Sequence, residues 1–286
     1  MEETMLDTSL WMCLMLASLV PFVQKLLLLE LNLTPMFLGF AEALAVYSID
    51  RYRDNLQCKD LRAQQLVERS KRLFVVGSCC FTLLFLTAPL GTKLVFLVHL
   101  SLGLLYAMRL PVLISSRSER TTWRIKELPC SKAFFVAFST SFMALFAPLA
   151  YANSRRLPAG PAWRESAQAL TLVFLISFSV ENLQDVRDLD SDRAAGTVTL
   201  ALKLGVRRTK CLLTSLWFLF AAMQVRANGA KSSTVQLLVA LTVVSLTWSP
   251  VIISSKFFYS LLLESVFASP LLFSLLLDLL SSPSYK

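Results

Sequence analysis

Charge, glycine and histidine are what this 286-residue sequence has least of: 16% charged residues, eight glycines and a single histidine. An average soluble domain carries about 25% charged residues, so an ordinary water-soluble fold is excluded. The lone His99 sits in an apolar stretch and cannot assemble a zinc centre, which takes several His or Cys ligands. It is expected to be a satisfied core or interface histidine. The six cysteines (Cys13, Cys58, Cys79, Cys80, Cys130 and Cys211) show no C-x-x-C spacing and read as structural thiols. Period-2 alternation is missing, which excludes a membrane β-barrel. No Lys or Arg precedes Lys25, while Glu2, Glu3 and Asp7 do. That start has neither the basic end of a secretory signal nor the Arg-rich, acid-poor character of a transit peptide.

What is present is apolar. Hydrophobic residues make up 55% of the chain, twenty of the residues are Phe, and mean hydropathy is +0.60. The expected fold class is all-α: a polytopic membrane protein, a single integral-membrane domain over residues 1–286, its helices bundled around a central cavity. Nine apolar stretches are readable, at 9–29, 33–49, 73–90, 93–109, 132–152, 166–183, 210–226, 234–253 and 257–280. If each crosses the bilayer, twenty of the 28 basic residues fall on one side and eight on the other. Such an asymmetry is the positive-inside pattern, and it places the N-terminus and three long basic loops on the cytoplasmic-type face. The net charge of +9 is explained the same way, so nucleic acid is not an expected partner.

The acids are organised more sharply than the bases. Asp50, Asp54, Asp60 and Glu68 lie in or beside the first long loop, and Glu181, Asp185, Asp188, Asp190 and Asp192 in the third. Both groups therefore fall on one membrane face. A helix turns about 100° per residue. With Asp185 at zero, Glu181 falls near −40°, Asp188 near −60° and Asp192 near −20°, about one narrow stripe, while Asp190 points the other way. Asp50 and Asp54 are likewise one turn apart. Like charges so spaced destabilise a bare helix. The nearby Arg51, Arg53, Arg187 and Arg193 project partly away from the stripe, so a divalent cation is the better compensation. An oxygen-only donor set suits Mg²⁺, held by carboxylates together with substrate phosphates. Gly196 is expected to stop the helix. Glu42, two turns before Asp50, is expected to face the cavity, Asn182 to add to the second group, and Glu264 and Asp278 to lie at an interface or helix contact.

The stretch "DVRDLDSDRAAGTVTLALKLG" resembles the second aspartate-rich motif of the UbiA superfamily of membrane prenyltransferases, of the 4-hydroxybenzoate polyprenyltransferase-like kind. Asp185, Asp188, Asp192, Gly196, Thr199, Leu200, Leu204 and Gly205 occupy that motif's positions. "YSIDRYRD" resembles the first motif at Asp50 and Asp54, and "LYAMRLP" and "RIKELPCSKAFFVAFS" are weaker echoes of the segment-four to segment-five connection. One departure stands out. The Asn-Asp pair that usually opens the first motif is replaced by Val46 and Tyr47, which leaves Ser48 as a substitute ligand, fewer side chains on the metal, or a weakened site.

The resemblance implies a prenyltransferase. Asp50 and Asp54 on one side, and Asp185, Asp188 and Asp192 on the other, would hold Mg²⁺ on an isoprenyl diphosphate. Lys126, Arg109 and Arg53 would contact the diphosphate, with Asn182 beside them. The allylic C–O bond would break and a lipophilic, aromatic acceptor would capture the cation, the prenyl tail lying between helices with access from lipid. Tyr106 would line the pocket. Three other functions fit parts of the pattern: a weakened isoprenoid-binding scaffold, a cation transporter, and an intramolecular terpene cyclase on the same fold.

Overall fold

In the computed structural model the described residues are 8–55, 61–108, 110–111, 122–123, 128, 130–154, 163–228, 233–249 and 256–281. Helices account for almost all of them. The order is α1 (Thr8–Ala17), α2 (Leu19–Leu26), α3 (Thr34–Asn55), α4 (Leu61–Thr87), α5 (Leu90–Ala107), α6 (Ser131–Ser154), α7 (Trp163–Arg187), α8 (Leu189–Ala195), α9 (Leu200–Leu204), α10 (Val206–Asn228), α11 (Thr234–Trp248), α12 (Lys256–Ser265) and α13 (Ser269–Ser281). A two-residue antiparallel pair, Leu110–Pro111 with Thr122–Trp123, lies between α5 and α6. Each of the nine apolar stretches falls on one helix or on a broken pair: α1 with α2 for the first, α12 with α13 for the last. Four runs are long and apolar enough to cross a bilayer: Gln64–Thr87, Ser131–Ser154, Trp163–Arg187 and Leu261–Ser281. Leu10–Leu26, Leu90–Tyr106 and Thr234–Trp248 are shorter apolar helices.

Lipid tails are as apolar as leucine, so helices in a membrane are held by close packing more than by escape from solvent. Helix α3 illustrates this. A Cβ added to Gly77 of α4 would come within 2.9 Å of the Ala45 backbone nitrogen, and one on Gly103 of α5 within 3.0 Å of Val46. The two glycines let α4 and α5 approach α3 more closely than any larger residue would. The main core joins α1, α2, α6, α7, α10, α11 and α12, with Leu172, Ile176, Leu183 and Trp217 essentially sealed from the surface. The Trp217 indole N–H donates to Ser179 Oγ at 2.9 Å, which satisfies its polar edge at depth. Outward faces carry Val75, Val76 and Leu83 on α4, Leu94 and Leu97 on α5, and Phe218, Leu219 and Met223 on α10, all exposed. A continuous apolar exterior of this kind suits lipid and would be a liability in water.

Helix boundaries near the acidic motifs follow from single residues. Gly196 ends α8 in the left-handed conformation (φ 69°), as expected, and Gly205 ends α9 with φ 83°. Thr199 caps α9, its hydroxyl accepting from the Leu202 N–H at 3.3 Å, and Thr209 Oγ1 donates to the Gly205 carbonyl at 3.1 Å. The non-acidic letters of the second motif therefore turn the chain around.

Candidate active site

The second acidic group is built where α7 runs out. Glu181, Asn182 and Asp185 are buried on its last turns, Asp185 at 1% exposure. At Asp188 the backbone leaves helical geometry (φ −100°, ψ 17°) before α8 resumes. The N–H of Asp188 still donates to the Gln184 carbonyl at 2.9 Å, and that of Asp192 to the Asp188 carbonyl at 2.9 Å. The stripe is thus bent at Asp188 but keeps its helical register. Asp190 is expelled, its side chain 97% exposed and 3.8 Å from Arg193.

The compensating charge differs from the sequence expectation. Lys132, in the first turn of α6, donates to Asp185 Oδ1 at 2.6 Å. Arg187 does not point away: its Nε donates to Asp188 Oδ1 at 2.9 Å, and its terminal nitrogen also contacts that carboxylate. The break after Arg187 lets the long arm fold back on its neighbour. Two of the acids are therefore already paired with the chain's own cations. A lysine in the first turn of a helix opposes the helix dipole and asks for a partner. That position is the signal in the sequence that marks Lys132. Its position is set by Cys130 (φ 60°), whose N–H donates to the Val198 carbonyl at 2.8 Å and ties the start of α6 to the turn after α8.

Asp192 stands outside the spanning helices. Burial holds its carboxyl above the usual carboxylate range, the Lys132 charge opposes that rise, and Asp185 and Asp188 add to it. Its Oδ2 is buried with no hydrogen-bond partner. Asn182 donates from Nδ2 to the Phe178 carbonyl at 2.8 Å and leaves a buried, unpartnered Oδ1.

The first acidic group lies at the end of α3. Asp50 is half-buried, Asp54 follows one turn later along the same helix, and Arg51 and Arg53 flank them. Arg51 stacks over the Tyr47 ring at 5.9 Å. Ser48 is buried with an unpartnered hydroxyl. Lys126 and Arg109 lie outside the described residues. The Tyr106 phenol on α5 is in electrostatic range of Asp50 on α3 and of Glu181 and Asp185 on α7, and its ring stacks on Phe135 at 5.5 Å. Asp50 and two acids of α7 are thus within electrostatic range of one aromatic side chain.

Two intramembrane polar groups sit apart from the site. Glu42 faces His99 rather than a cavity, with His99 Nδ1 2.8 Å from Glu42 Oε2. Eight residues from Asp50, it is rotated about 80° away around α3, toward α5. His99 is the satisfied interface histidine expected. Asp278 pairs with Lys25, a contact between α13 and α2. A small, partly open pocket lies at the far end of α7, lined by Glu165, Gln168, Gln224 and Gln236 among others. It touches neither acidic group.

Solved structures share this arrangement of helices. A UbiA homologue from Aeropyrum pernix K1 in its apo form superposes with a TM-score of 0.64 at 13% identity, over 95% of this chain and 100% of its own. A digeranylgeranylglyceryl phosphate synthase superposes with a TM-score of 0.54 at 14% identity, covering 93% and 97%. A UbiA homologue from Archaeoglobus fulgidus bound to GPP and Mg²⁺ superposes with a TM-score of 0.50 at 15% identity, covering 92% and 98%. No curated protein matches the sequence. The VviA prenyltransferase family, by contrast, matches residues 28–265, a stretch that holds both acidic motifs and helices α3 to α11. The chain belongs to the VviA prenyltransferase family, on the fold of the UbiA superfamily of membrane prenyltransferases.

Proposed function

We propose that this chain transfers a prenyl group from an isoprenyl diphosphate to a lipophilic, aromatic acceptor, in a site between the end of α3 and the end of α7. The observation that supports this most is that Asp50, from one motif helix, and Glu181 and Asp185, from the other, are all in electrostatic range of Tyr106. In this reading all nine apolar runs cross the bilayer, and both acidic motifs lie on the face of the basic loops.

The residues fit Mg²⁺ shared with a substrate. Among the described residues no three His, Cys, Asp or Glu side chains stand close enough to hold a metal by themselves. Mg²⁺ asks for less, usually one or two carboxylates with phosphate and water completing its shell. The donors present are all oxygen, and the buried Oδ2 of Asp192 lacks a partner. Asp185, Asp188 and Asp192, with Asp50 and Asp54 opposite, would hold the ion. When bound, Mg²⁺ supplies positive charge beside the departing diphosphate.

The rest is done by the chain. Lys132 and Arg187, held at the second motif by their carboxylate partners, are placed to turn toward diphosphate oxygens and stabilise charge as the allylic C–O bond opens. The electron pair of that bond leaves with the diphosphate. The stacked rings of Tyr106 and Phe135 offer π faces to the allylic cation, and the buried surroundings exclude water from it. An acceptor carbon or oxygen then supplies the electron pair for the new bond.

Val46 packs on Gly103 instead of contributing a ligand, and this favours a second reading: an isoprenoid-binding scaffold with weakened catalysis. One assay separates the two. Membranes containing the protein are incubated with Mg²⁺ and prenyl diphosphates of several lengths, and diphosphate release and lipid products are followed. Release with a prenylated acceptor is expected. A cyclic hydrocarbon without acceptor would mean cyclisation, and no release with any donor would leave the scaffold.

A further inference from the structure

One turn inward from the aspartates lies a second polar layer. Glu181 is four residues before Asp185 and Tyr47 three before Asp50; Glu264 joins them from α12. Glu264 is only 5% exposed, and its Oε2 is buried with no hydrogen-bond partner. Its carboxylate is in electrostatic range of Arg187, Arg51 and Glu181, and the Tyr47 phenol is in range of Glu264, Glu181 and Arg51. Glu264 is therefore inside the bundle, within electrostatic range of side chains on both motif helices. Three other acids have a cationic or histidine partner: Asp185 has Lys132, Asp188 has Arg187, and one oxygen of Glu42 has His99. A buried carboxylate oxygen without a partner is costly. Its neighbours are two arginines that already serve other groups, Arg187 bound to Asp188 and Arg51 stacked on Tyr47.

We propose that Glu264 is the proton acceptor that ends the reaction. This rests on the prenyl-transfer reading above. With a carbon acceptor, once the diphosphate has left and the new bond has formed, a carbocation remains on the product. Neutral product requires loss of a proton from the neighbouring carbon. The electron pair of that C–H bond closes a C=C bond, and the proton passes to Glu264 Oε2. Atoms and charge balance with no further reactant. Glu264 comes from α12, not from either helix that carries the aspartates.

The test uses the full chain in membranes with Mg²⁺ and a prenyl diphosphate. In Glu264→Gln, diphosphate release is expected to stay within about threefold of the unchanged protein. The deprotonated product should fall at least about tenfold, in line with the loss of a positioned base, while prenyl alcohol from water capture rises. Glu264→Asp, which keeps the carboxylate, should recover part of the product. Parallel loss of release and product, or an unchanged product ratio, would overturn the proposal. A second measurement does not depend on turnover: binding of a prenyl-dimethylammonium ion in the presence of inorganic diphosphate. Glu264→Gln should weaken ammonium binding about tenfold and leave diphosphate binding unchanged. Equal ammonium affinity in both proteins also overturns it. If the unchanged protein releases no diphosphate from any donor, prenyl transfer itself fails, and the ammonium measurement still decides whether Glu264 faces a cation site.

Discussion

The end of α7 and the end of α3 carry related motifs but are built differently. At α7, three of the four acids of the stripe are engaged or aimed: Asp185 on Lys132, Asp188 on Arg187, and Asp192 with a buried free oxygen. Around them, Gly196, Thr199 and Gly205 fix the chain reversal. At α3, the two positions that usually open the motif have been given to packing. Val46 meets Gly103 in a helix contact, and Tyr47 lies against the core with Arg51 across its ring. One end is arranged around charge and the other has exchanged part of its charge for contact area. A pair of motifs can thus keep its place in a fold while the load of binding shifts onto one of them.

Breaking the charge-rich end should have the largest effect. Asp188→Asn is expected to lower diphosphate release by about 100-fold or more while melting temperature changes little, as for loss of a group acting on developing charge. Unchanged turnover would remove the metal role from α7. Lys132→Ala leaves Asp185 buried without its cation and should cost about 3 kcal/mol, the low end for a broken buried pair, because 26% of the lysine side chain is exposed. Thermal unfolding in detergent reads this, and adding Asp185→Asn should restore most of the loss. If the single variant melts like the unchanged protein, the pair is not what holds the start of α6.

The contact-rich end should respond through stability first. Val46→Asn puts an amide into the α3–α5 contact and should cost about 1–3 kcal/mol, with little effect on the amount of Mg²⁺ needed. Tyr47→Asp should lower the Mg²⁺ concentration for half-maximal activity. The reverse result would mean that Tyr47, not an acid, is what this site requires there.

The smallest effect expected is that of pH on the metal-free protein. Burial raises the Asp192 carboxyl above its unfolded value. Folding is therefore unpenalised while the group is protonated in both states, and loses stability as pH rises from the ordinary carboxylate range through the raised value. Asp192→Asn should flatten the melting temperature over that window. A slope that survives in the variant would belong to other groups.

Much of this was legible in the sequence. The nine apolar stretches became helical runs, Gly196 became a left-handed cap, and Asp190 fell on the solvent side. Each depends on spacing within one segment, where helix geometry relates residues directly. The contacts between segments were not legible. Arg187 was expected to point away and instead holds Asp188. Glu42 was expected in a cavity and instead meets His99, 57 residues on. Glu264, expected at an interface or helix contact, is buried on α12, and what spacing could not show is its electrostatic reach to Arg187 and Arg51 on the two motif helices.

The sequence by itself determined that this chain is helical, apolar enough for a membrane, and marked at two points by regularly spaced acids, because those properties follow from composition and a fixed turn per residue. Only the tertiary structure decided which cation neutralises which acid and which carboxylate is left over. Those outcomes depend on the depth and rotation of each helix against its neighbours. Both are set by many weak packing contacts, such as Gly77 on Ala45 and Gly103 on Val46, that carry no recognisable pattern along the chain.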